Sequence, residues 1–313
     1  MNDITFAEHY TEYDRKTVER IWQLIKNSKL SQSAIARKAR VKPATMTQCL
    51  KGYYLASPTA HLKAVEAALL HIEAETKDLI APVETSVFKL AYACCKMARR
   101  YKNIAVLSGN VGTGKTYALK HYARKNTNTI LIEVNPVMSK RTLLRELAQK
   151  TVNTRTGLLD ELFEQIIDSL KDTDSLIIID EAEILIPNQL HLLRRVRDLA
   201  GIGLVLAGTP KLTGLLKPEH GQFEQIRSRA GFWPQTIQQI TEEDAGALIQ
   251  AAFGDEELTD DFVERMYQYS KGSARMLVEG LIASLREFRS DRELSTKLVD
   301  AVAKQALCLQ PIK

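Results

Sequence analysis

The sequence predicts an α/β fold with a parallel sheet, preceded and followed by helical segments. In the middle of the chain, short apolar runs rich in β-branched residues alternate with amphipathic helical patterns. Apolar strands that alternate with helices are typical of a parallel sheet covered on both faces. The predicted strands lie at 104–108, 130–134, 176–180 and 203–207.

Helical patterns dominate both ends of the chain. Apolar residues recur with helical spacing along 17–27 and 61–74, and again along most of the segment after residue 240. We therefore predict four parts: a helical domain at 1–76, a linker at 77–84, an α/β core at 85–235 and a helical lid at 236–313.

Composition excludes several classes of protein. The 313 residues contain no apolar run long enough to cross a membrane and no apolar leader, so we expect a protein that is neither membrane-spanning nor secreted. The four cysteines have neither a disulfide framework nor a metal-ligand spacing, and we expect reduced thiols in the cytoplasm.

The net charge of +5 is unevenly distributed. Residues 26–51 include seven Lys or Arg and no acid, and residues 89–125 include nine, again with no acid. Because basic patches gain affinity for phosphates by releasing counterions, this distribution favours a polyanionic partner. The alternative is that these are simply solvated basic faces.

A phosphate-binding loop follows the first predicted strand. It fits the spacing G-x-x-x-x-G-K-[ST] in full. Glycines allow backbone N–H groups to turn toward phosphate oxygens, and the following helix directs its N-terminal dipole at the same anion. The lysine is expected to reach the β- and γ-phosphates of ATP, and the threonine hydroxyl to bind Mg²⁺. The predicted nucleotide-binding residues are Gly109, Asn110, Val111, Gly112, Thr113, Gly114, Lys115 and Thr116.

An acidic pair, Asp180 and Glu181, ends the third predicted strand. A strand ending in this way can direct one carboxylate to the Mg²⁺ shell and the other toward the γ-phosphate. We assign Asp180 to the metal and Glu181 to polarising the attacking water. Together with the phosphate-binding loop, this pair predicts ATP binding and hydrolysis.

This order of motifs resembles the AAA+ ATPases. The resemblance implies that a polar residue after the next strand helps to position the water, which here is Thr209. It also implies that a lid arginine contacts the γ-phosphate, and Arg275 in Gly272-Ser-Ala-Arg matches that pattern. Finally, it implies an arginine supplied to the neighbouring subunit's site. Arg227 and Arg229 lie between core and lid, and we favour Arg227.

The segment 30–52 resembles the helix-turn-helix of phage-repressor-like DNA-binding domains. The resemblance implies that its second helix presents Thr45, Thr47, Gln48 and Lys51 to duplex DNA. The alternative is a helical adaptor that uses the same fold for protein contacts.

Two further basic residues, Lys140 and Arg141, follow the second predicted strand. In AAA+ rings and filaments that handle nucleic acid, loops at this place often face the central channel. The resemblance therefore makes both residues candidates for phosphate contacts, with solvated helix charge as the alternative.

The whole arrangement is similar to the target-selection ATPases of phage Mu B type. This resemblance implies an ATP-dependent protein that forms helical filaments on double-stranded DNA with little sequence preference. Such a protein delivers target DNA to a DDE-type transposase, and hydrolysis disassembles the filament. Two alternatives stay open, a replication-type helicase loader and an ATP-gated helix-turn-helix transcriptional regulator.

Overall fold

The structure is a computed structural model that describes residues 6–27, 31–76, 80–216, 227–254, 256–289 and 292–310. The chain divides into two compact units, Met1–Asp78 and Leu79–Lys313. The predicted core and lid thus lie in a single unit. None of the helices in the described ranges is both long enough and apolar enough to cross a membrane.

The first unit is helical, with helices α1 (Glu12–Asn27), α2 (Gln32–Lys38), α3 (Pro43–Leu50) and α4 (Thr59–Thr76). Ser31 caps α2 by accepting the Ala34 N–H at 3.3 Å, and Pro43 opens α3, where its missing N–H has no cost. All four helices contribute to one apolar core, which includes Val18, Ile21, Ile35, Ala36, Met46, Leu50, Leu62 and Val65.

The second unit contains a parallel five-stranded sheet in the order β2-β3-β4-β1-β5. Its strands are β1 (Ile104–Ser108), β2 (Thr129–Glu133), β3 (Leu176–Asp180), β4 (Gly203–Gly208) and β5 (Ala230–Phe232). The sheet is accompanied by helices α5 (Ser86–Tyr101), α6 (Lys115–Lys125), α7 (Lys140–Thr151), α8 (Leu159–Leu170), α9 (Pro187–Ala200) and α10 (Pro210–Leu216).

Helices cover both faces of the sheet. On β3, Ile177 and Ile179 pack in the same cluster as α7, α8 and α9, whereas Leu176 and Ile178 pack with α5 and α6. Every residue of β1, β3 and β4 is buried, as a doubly covered parallel sheet requires. The carboxyl ends of these strands form one edge of the sheet, where the polar motifs collect.

The chain after β5 is helical again. It forms α11 (Glu242–Phe253), α12 (Asp260–Ser270), a π-helical segment (Met276–Ile282), α13 (Ala283–Phe288) and α14 (Thr296–Gln305). This lid has its own apolar cluster, against which Ile80 and Val83 of the predicted linker also pack. Ser86, at the start of α5, donates its backbone N–H to the Asp244 carboxylate at 2.7 Å. This hydrogen bond connects the lid to the core.

The sequence did not predict β5. This strand has only three residues, none of them buried, and includes a glycine, so it lacks the apolar run that marks the other strands. In the lid, a continuous helical stretch is π-helical over Met276–Ile282 and α-helical over Ala283–Phe288. π-Helical turns are rare and occur frequently at functional sites.

Candidate nucleotide-binding and catalytic site

The phosphate-binding loop lies at the carboxyl end of β1, between β1 and α6. Gly112 and Gly114 have φ values of 80° and 97°, in the left-handed region that glycine adopts without strain. A Cβ atom on Gly112 would lie 2.5 Å from the Ser273 hydroxyl oxygen, so this position leaves no room for a side chain. Gly114 also precedes the first residue of α6 and provides no side-chain cap. The first N–H groups of α6 are therefore available to an anion.

The Lys115 side chain is folded into this loop and is only 8% exposed. Its ammonium group donates to the carbonyl oxygens of Gly109, at 2.8 Å, and Asn110, at 2.9 Å. Burial lowers the pKa of Lys115, and the nearby carboxylates of Asp180 and Glu183 oppose that effect. A buried cation that faces two carboxylates and a glycine-rich loop suits the polyphosphate and divalent metal of a nucleotide.

Asp180 and Glu181 lie where β3 ends. Asp180 is only 3% exposed, and its Oδ1 accepts the Glu181 N–H at 3.0 Å, which orients the carboxylate. Glu181 is exposed and has a φ of 57°, which is uncommon for a residue with a side chain. The described residues include no group of three or more His, Cys, Asp or Glu side chains that could hold a metal ion. Mg²⁺ fits such a site, because it is usually bound by one or two carboxylates together with phosphate oxygens and water.

The turn at Glu181 brings a residue that the sequence did not single out, Glu183, back to the sheet edge. Its Oε1 accepts the Thr209 N–H at 3.1 Å. Its Oε2 is buried and has no hydrogen-bond partner among the described residues. A Cβ atom on Gly208 would overlap Oε2, so the glycine makes room for this carboxylate. The only sequence signal for Glu183 was that a third acidic residue follows Asp180 and Glu181, two positions after the latter.

Thr209 follows β4, and both of its backbone polar groups are engaged. Its N–H donates to Glu183, and its carbonyl oxygen accepts the Ser108 hydroxyl at 3.3 Å. The Thr209 hydroxyl is buried and has no hydrogen-bond partner in the part of the chain that the structure describes. Hydrogen bonds at both its N–H and its carbonyl oxygen therefore fix the Thr209 backbone.

The lid contacts the phosphate-binding loop directly. The Arg275 N–H donates to the Gly112 carbonyl oxygen at 2.9 Å, and the Asn110 N–H donates to the Ile237 carbonyl oxygen at 2.8 Å. The Arg275 side chain is 58% exposed, with its Nε 3.8 Å from Glu279 Oε2. The start of the π-helical segment is thus held against the loop, and the arginine stays accessible.

The two candidates for the trans-acting arginine have different surroundings. Arg227 is exposed. Arg229 immediately precedes β5, and its Nε lies 3.0 Å from Asp198 Oδ2. Its carbonyl oxygen accepts the Ile104 N–H, which places it at the amino end of β1, away from its own phosphate-binding loop. Residues 225 and 226 of the same predicted motif lie outside the described residues.

The predicted DNA-binding residues lie on the surfaces of the two units. On α3, Thr45 and Thr47 are partly exposed, and the Thr47 hydroxyl donates to the Pro43 carbonyl oxygen at 2.9 Å. Gln48 and Lys51 are exposed. In the second unit, Lys140 and Arg141 are exposed in the first turn of α7. Each of these two sets is described within its own unit, and all of these roles remain predictions.

Comparison with known proteins agrees with this geometry. Residues 98–216 match the AAA domain family, and this range contains the phosphate-binding loop, Asp180, Glu181 and Thr209. The chain thus carries an AAA domain, and it is an ATPase.

The chain is also homologous to transposition proteins. It is 28% identical over 247 residues to the Mu-like prophage FluMu DNA transposition protein B of Haemophilus influenzae, covering 75% of this chain and 84% of that protein. It is 33% identical over 147 residues to the ATP-dependent target DNA activator B of Escherichia phage Mu. That second match covers 45% of this chain and 46% of the phage protein, so it spans less than half of that relative.

Among solved structures, the Aeropyrum pernix ORC1 protein in complex with DNA is similar in fold. The TM-score is 0.51 at 19% identity, over 72% of this chain and 66% of that one. This likeness supports the α/β fold of the second unit.

Proposed function

We propose that this chain, a homologue of the transposition B proteins of Mu-type phages, is an ATP-dependent DNA-binding protein that selects target DNA. It binds duplex DNA with little sequence preference, assembles on it as a filament and delivers it to a DDE-type transposase in the host cytoplasm. ATP hydrolysis then disassembles the filament. The observation that carries this proposal is the contact of Arg275 and Ser273 with Gly112, through which the lid can respond to the bound nucleotide.

In this proposal each residue of the site has its own role in binding or hydrolysing ATP. The backbone of 109–114 and Lys115 bind the phosphates, while Thr116 and Asp180 hold Mg²⁺. The metal, when bound, neutralises charge that develops on the phosphate oxygens. Glu181 accepts the proton of the attacking water. Thr209, whose backbone is held by two hydrogen bonds, helps to position that water.

ATP acts as the assembly switch because a γ-phosphate at a subunit boundary gives the assembled state extra affinity. Arg275 responds to the nucleotide of its own subunit, because its backbone N–H is hydrogen-bonded to the phosphate-binding loop. Arg227 is the arginine that completes the neighbouring subunit's site. Two observations support it over Arg229: the Arg227 side chain is exposed, whereas the Arg229 guanidinium is engaged by Asp198.

Two surfaces are proposed to contact DNA. In the first unit, α2 and α3 act as a helix-turn-helix, supported by the bond between the Val41 N–H and the Ala36 carbonyl oxygen at 2.9 Å, which closes the turn. In the second unit, Lys140 and Arg141 lie next to Val137, which is 89% exposed. Gln189 donates to the Met138 carbonyl oxygen at 2.7 Å, which fixes the segment just before α7 and thus the position of the two basic residues in its first turn.

The test is electron microscopy and nuclease footprinting of the full chain on random-sequence duplex DNA, with ATP, with ADP and without nucleotide. We expect filaments and continuous protection only with ATP, with a protected length that grows with protein concentration. Protection of one defined site would instead support the transcriptional regulator. Recovery of a helicase rather than a transposase as the bound partner would support the helicase loader.

The two basic residues at the start of α7, Lys140 and Arg141, have a matched control on the same helix. Lys140→Ala with Arg141→Ala is expected to weaken binding to all sequences alike. The slope of log affinity against log salt should fall by about 0.9 for each phosphate that the variant no longer neutralises. Lys150 is an exposed lysine at the other end of α7. Lys150→Ala is expected to leave the slope unchanged, and an equal change in both variants would contradict the proposal.

A further inference from the structure

The second acid-free basic segment of the sequence, 89–125, has no basic residue with a role in the proposed function except Lys115. In the structure this segment forms most of α5 and α6, which together have eight Lys or Arg residues and no Asp or Glu. These are Lys89, Lys96, Arg99, Arg100, Lys115, Lys120, Arg124 and Lys125. Lys115 is buried in the phosphate-binding loop, and Lys120 pairs with Glu133 at 2.8 Å. The other six have no role so far.

Four of these residues form one exposed face, which we call the α5–α6 basic face. On α5, Lys89, Lys96 and Arg100 are exposed and lie on the side opposite its buried residues. On α6, Arg124 is exposed and lies opposite the buried side of that helix. The two helices lie side by side on one face of the sheet. Along α5 the three basic residues cover about 16 Å, a length over which one DNA strand has about five phosphates.

Contacts between the two helices hold this face in place. The Tyr92 hydroxyl is hydrogen-bonded to His121 Nδ1 at 2.6 Å, and the rings of Tyr92 and Tyr122 meet edge to face with their centroids 5.0 Å apart. Arg99 Cζ lies 5.7 Å from the centroid of the Tyr122 ring. Arg99 thus belongs to the packing between the helices, and the basic residues outside it are carried by a fixed pair of helices.

Helix stability does not account for the exposed charges. Helices are stabilised by i,i+4 pairs of opposite sign, whereas Lys96 and Arg100 are like charges at that spacing. The helix dipole favours bases near a C-terminus, which accounts for Arg100 and Arg124 but not for Lys89 near the start of α5. No acid among the described residues forms an ion pair with Lys89, Lys96 or Arg124. These charges therefore indicate an anionic partner.

We propose that the α5–α6 basic face binds the phosphate backbone of a second DNA duplex, so that one subunit bridges two DNA segments. Lys140 and Arg141 begin α7, which packs on the other face of the sheet from α5 and α6. The two basic surfaces of the second unit therefore lie on opposite sides of the sheet. A protein partner would need apolar anchors at the centre of its interface, and α5 exposes no large apolar side chain between Lys89 and Arg100.

This inference rests on the DNA binding in the proposed function, and the experiment separates the two. The full chain is bound with ATP to a duplex fixed on beads, and a fluorescent duplex of unrelated sequence is then added. Three quantities are measured: binding to the fixed duplex, capture of the fluorescent duplex over a range of salt concentrations, and melting temperature. The wild-type chain is expected to capture the second duplex.

The test variant combines Lys89→Ala, Lys96→Ala and Arg124→Ala. It should bind the fixed duplex as wild type but lose capture, and the slope of log capture affinity against log salt should fall by about 2.7, or 0.9 for each of three phosphates. Its melting temperature should not fall, because these side chains have no ion pair with a described residue to lose. The variant that keeps the charges, Lys89→Arg with Lys96→Arg and Arg124→Lys, should capture as wild type.

A matched control removes the same charges from exposed positions elsewhere in the second unit, Lys150→Ala with Arg155→Ala and Lys171→Ala. It should capture the fluorescent duplex as wild type. Equal losses in the control and the test variant would overturn the proposal, and so would wild-type capture by the test variant. Binding of a fluorescent oligoglutamate that needs the same three residues and that duplex DNA does not displace would assign the face to an acidic protein segment instead.

The wild-type chain itself distinguishes the two possible failures. Binding to the fixed duplex without capture of a second one would refute bridging alone. No binding to the fixed duplex would refute the DNA binding on which this inference rests.

Discussion

Arg229 is bonded to Asp198 within the same chain, Nε to Oδ2 at 3.0 Å. The same carboxylate also pairs with Arg194 at 3.1 Å and with Arg197 at 2.6 Å. The side chains of Arg194, Arg197 and Asp198 are all less than 20% exposed, so this cluster is part of the packed structure. We therefore expect Arg229 to stabilise the fold, and we favour Arg227 as the trans-acting arginine.

This difference gives the first prediction. Arg227→Ala should lower ATP turnover by roughly 10³-fold, the lower end of what a trans-acting arginine provides, while melting temperature and nucleotide affinity stay unchanged. Arg229→Ala should lower the melting temperature, because the partly buried Asp198 loses a partner. Full turnover by Arg227→Ala at high protein concentration would exclude it as the arginine supplied to a neighbour.

The second prediction concerns Glu181. Because proton transfer from water provides about 10² to 10⁴-fold in rate, Glu181→Gln should lose most hydrolysis while it still binds ATP. Filaments formed with ATP should then persist after the nucleotide is diluted, and light scattering can follow their decay. Disassembly at the wild-type rate would contradict the assignment of Glu181 as the base.

The third prediction concerns Lys115, whose ammonium is buried among loop carbonyls. Lys115→Ala should abolish ATP-dependent DNA binding in a filter assay, because the phosphates lose their buried cation. Lys120 lies on the same helix, is 45% exposed and pairs with Glu133 at 2.8 Å. Lys120→Ala is the matched control and should bind as wild type. If binding survived in Lys115→Ala, ATP would not be the switch.

Most of the nucleotide site could be predicted from the sequence, because its chemistry is local. The loop 109–116 and the pair Asp180 and Glu181 are each contiguous, and the strands that carry them are apolar runs with clear ends. Their assigned roles remain predictions that the experiments above address. The bounds of β1 and β3 were predicted without error, whereas β2 was predicted one residue too late and β4 ended one residue too early.

What the sequence could not predict depends on contacts between distant segments. Glu183 accepts the N–H of Thr209, which lies 26 positions further along the chain. The two residues meet only because β3 and β4 lie side by side in the sheet. The bond of Arg229 to Asp198 depends on where β5 joins the sheet, and that strand has no sequence pattern of its own. No pattern of neighbouring residues in the sequence indicates either of these two contacts.

The fourth prediction concerns the cysteines. Cys49, Cys94 and Cys95 are buried, and Cys308 is exposed. Burial raises the pKa of Cys49 to about 11 and that of Cys94 to about 12, and it raises the pKa of Cys95 as well. Since the thiolate is the reactive form, only Cys308 should react rapidly with a maleimide at pH 7.

Mass spectrometry would measure this labelling. One adduct per native chain and four in denaturant are expected, because the chain has four cysteines of which one is exposed. Cys308→Ser should remove the rapid reaction. Rapid labelling of Cys94 or Cys95 in the native protein would mean that α5 does not pack against the sheet as described.

The fifth prediction concerns Asp14, a buried carboxylate in the helical first unit. Its Oδ2 accepts the Thr11 N–H at 3.0 Å and the Thr11 hydroxyl at 2.7 Å, and its Oδ1 accepts the Thr59 hydroxyl at 2.8 Å. Burial acts to raise the pKa of Asp14, but these hydrogen bonds outweigh it and the pKa is lowered. The ionised carboxylate thus joins α1 to the start of α4.

The sign of the pH effect follows from this shift. In the unfolded chain Asp14 has a pKa of about 3.9, which is higher than in the folded protein, so in acid the unfolded chain binds more protons. The stabilisation by the ionised carboxylate is therefore complete at pH values above about 3.9. It is lost as the pH falls through the lower, folded pKa. The protection factors of the α1 amides in the full chain, which are exchange rates corrected for the intrinsic effect of pH, should therefore fall in that window. Asp14→Asn should destabilise the first unit by about 2 kcal/mol at pH 7 and weaken its acid dependence, because an amide cannot accept all three bonds. Equal acid dependence in both proteins would show that Asp14 does not control this unit.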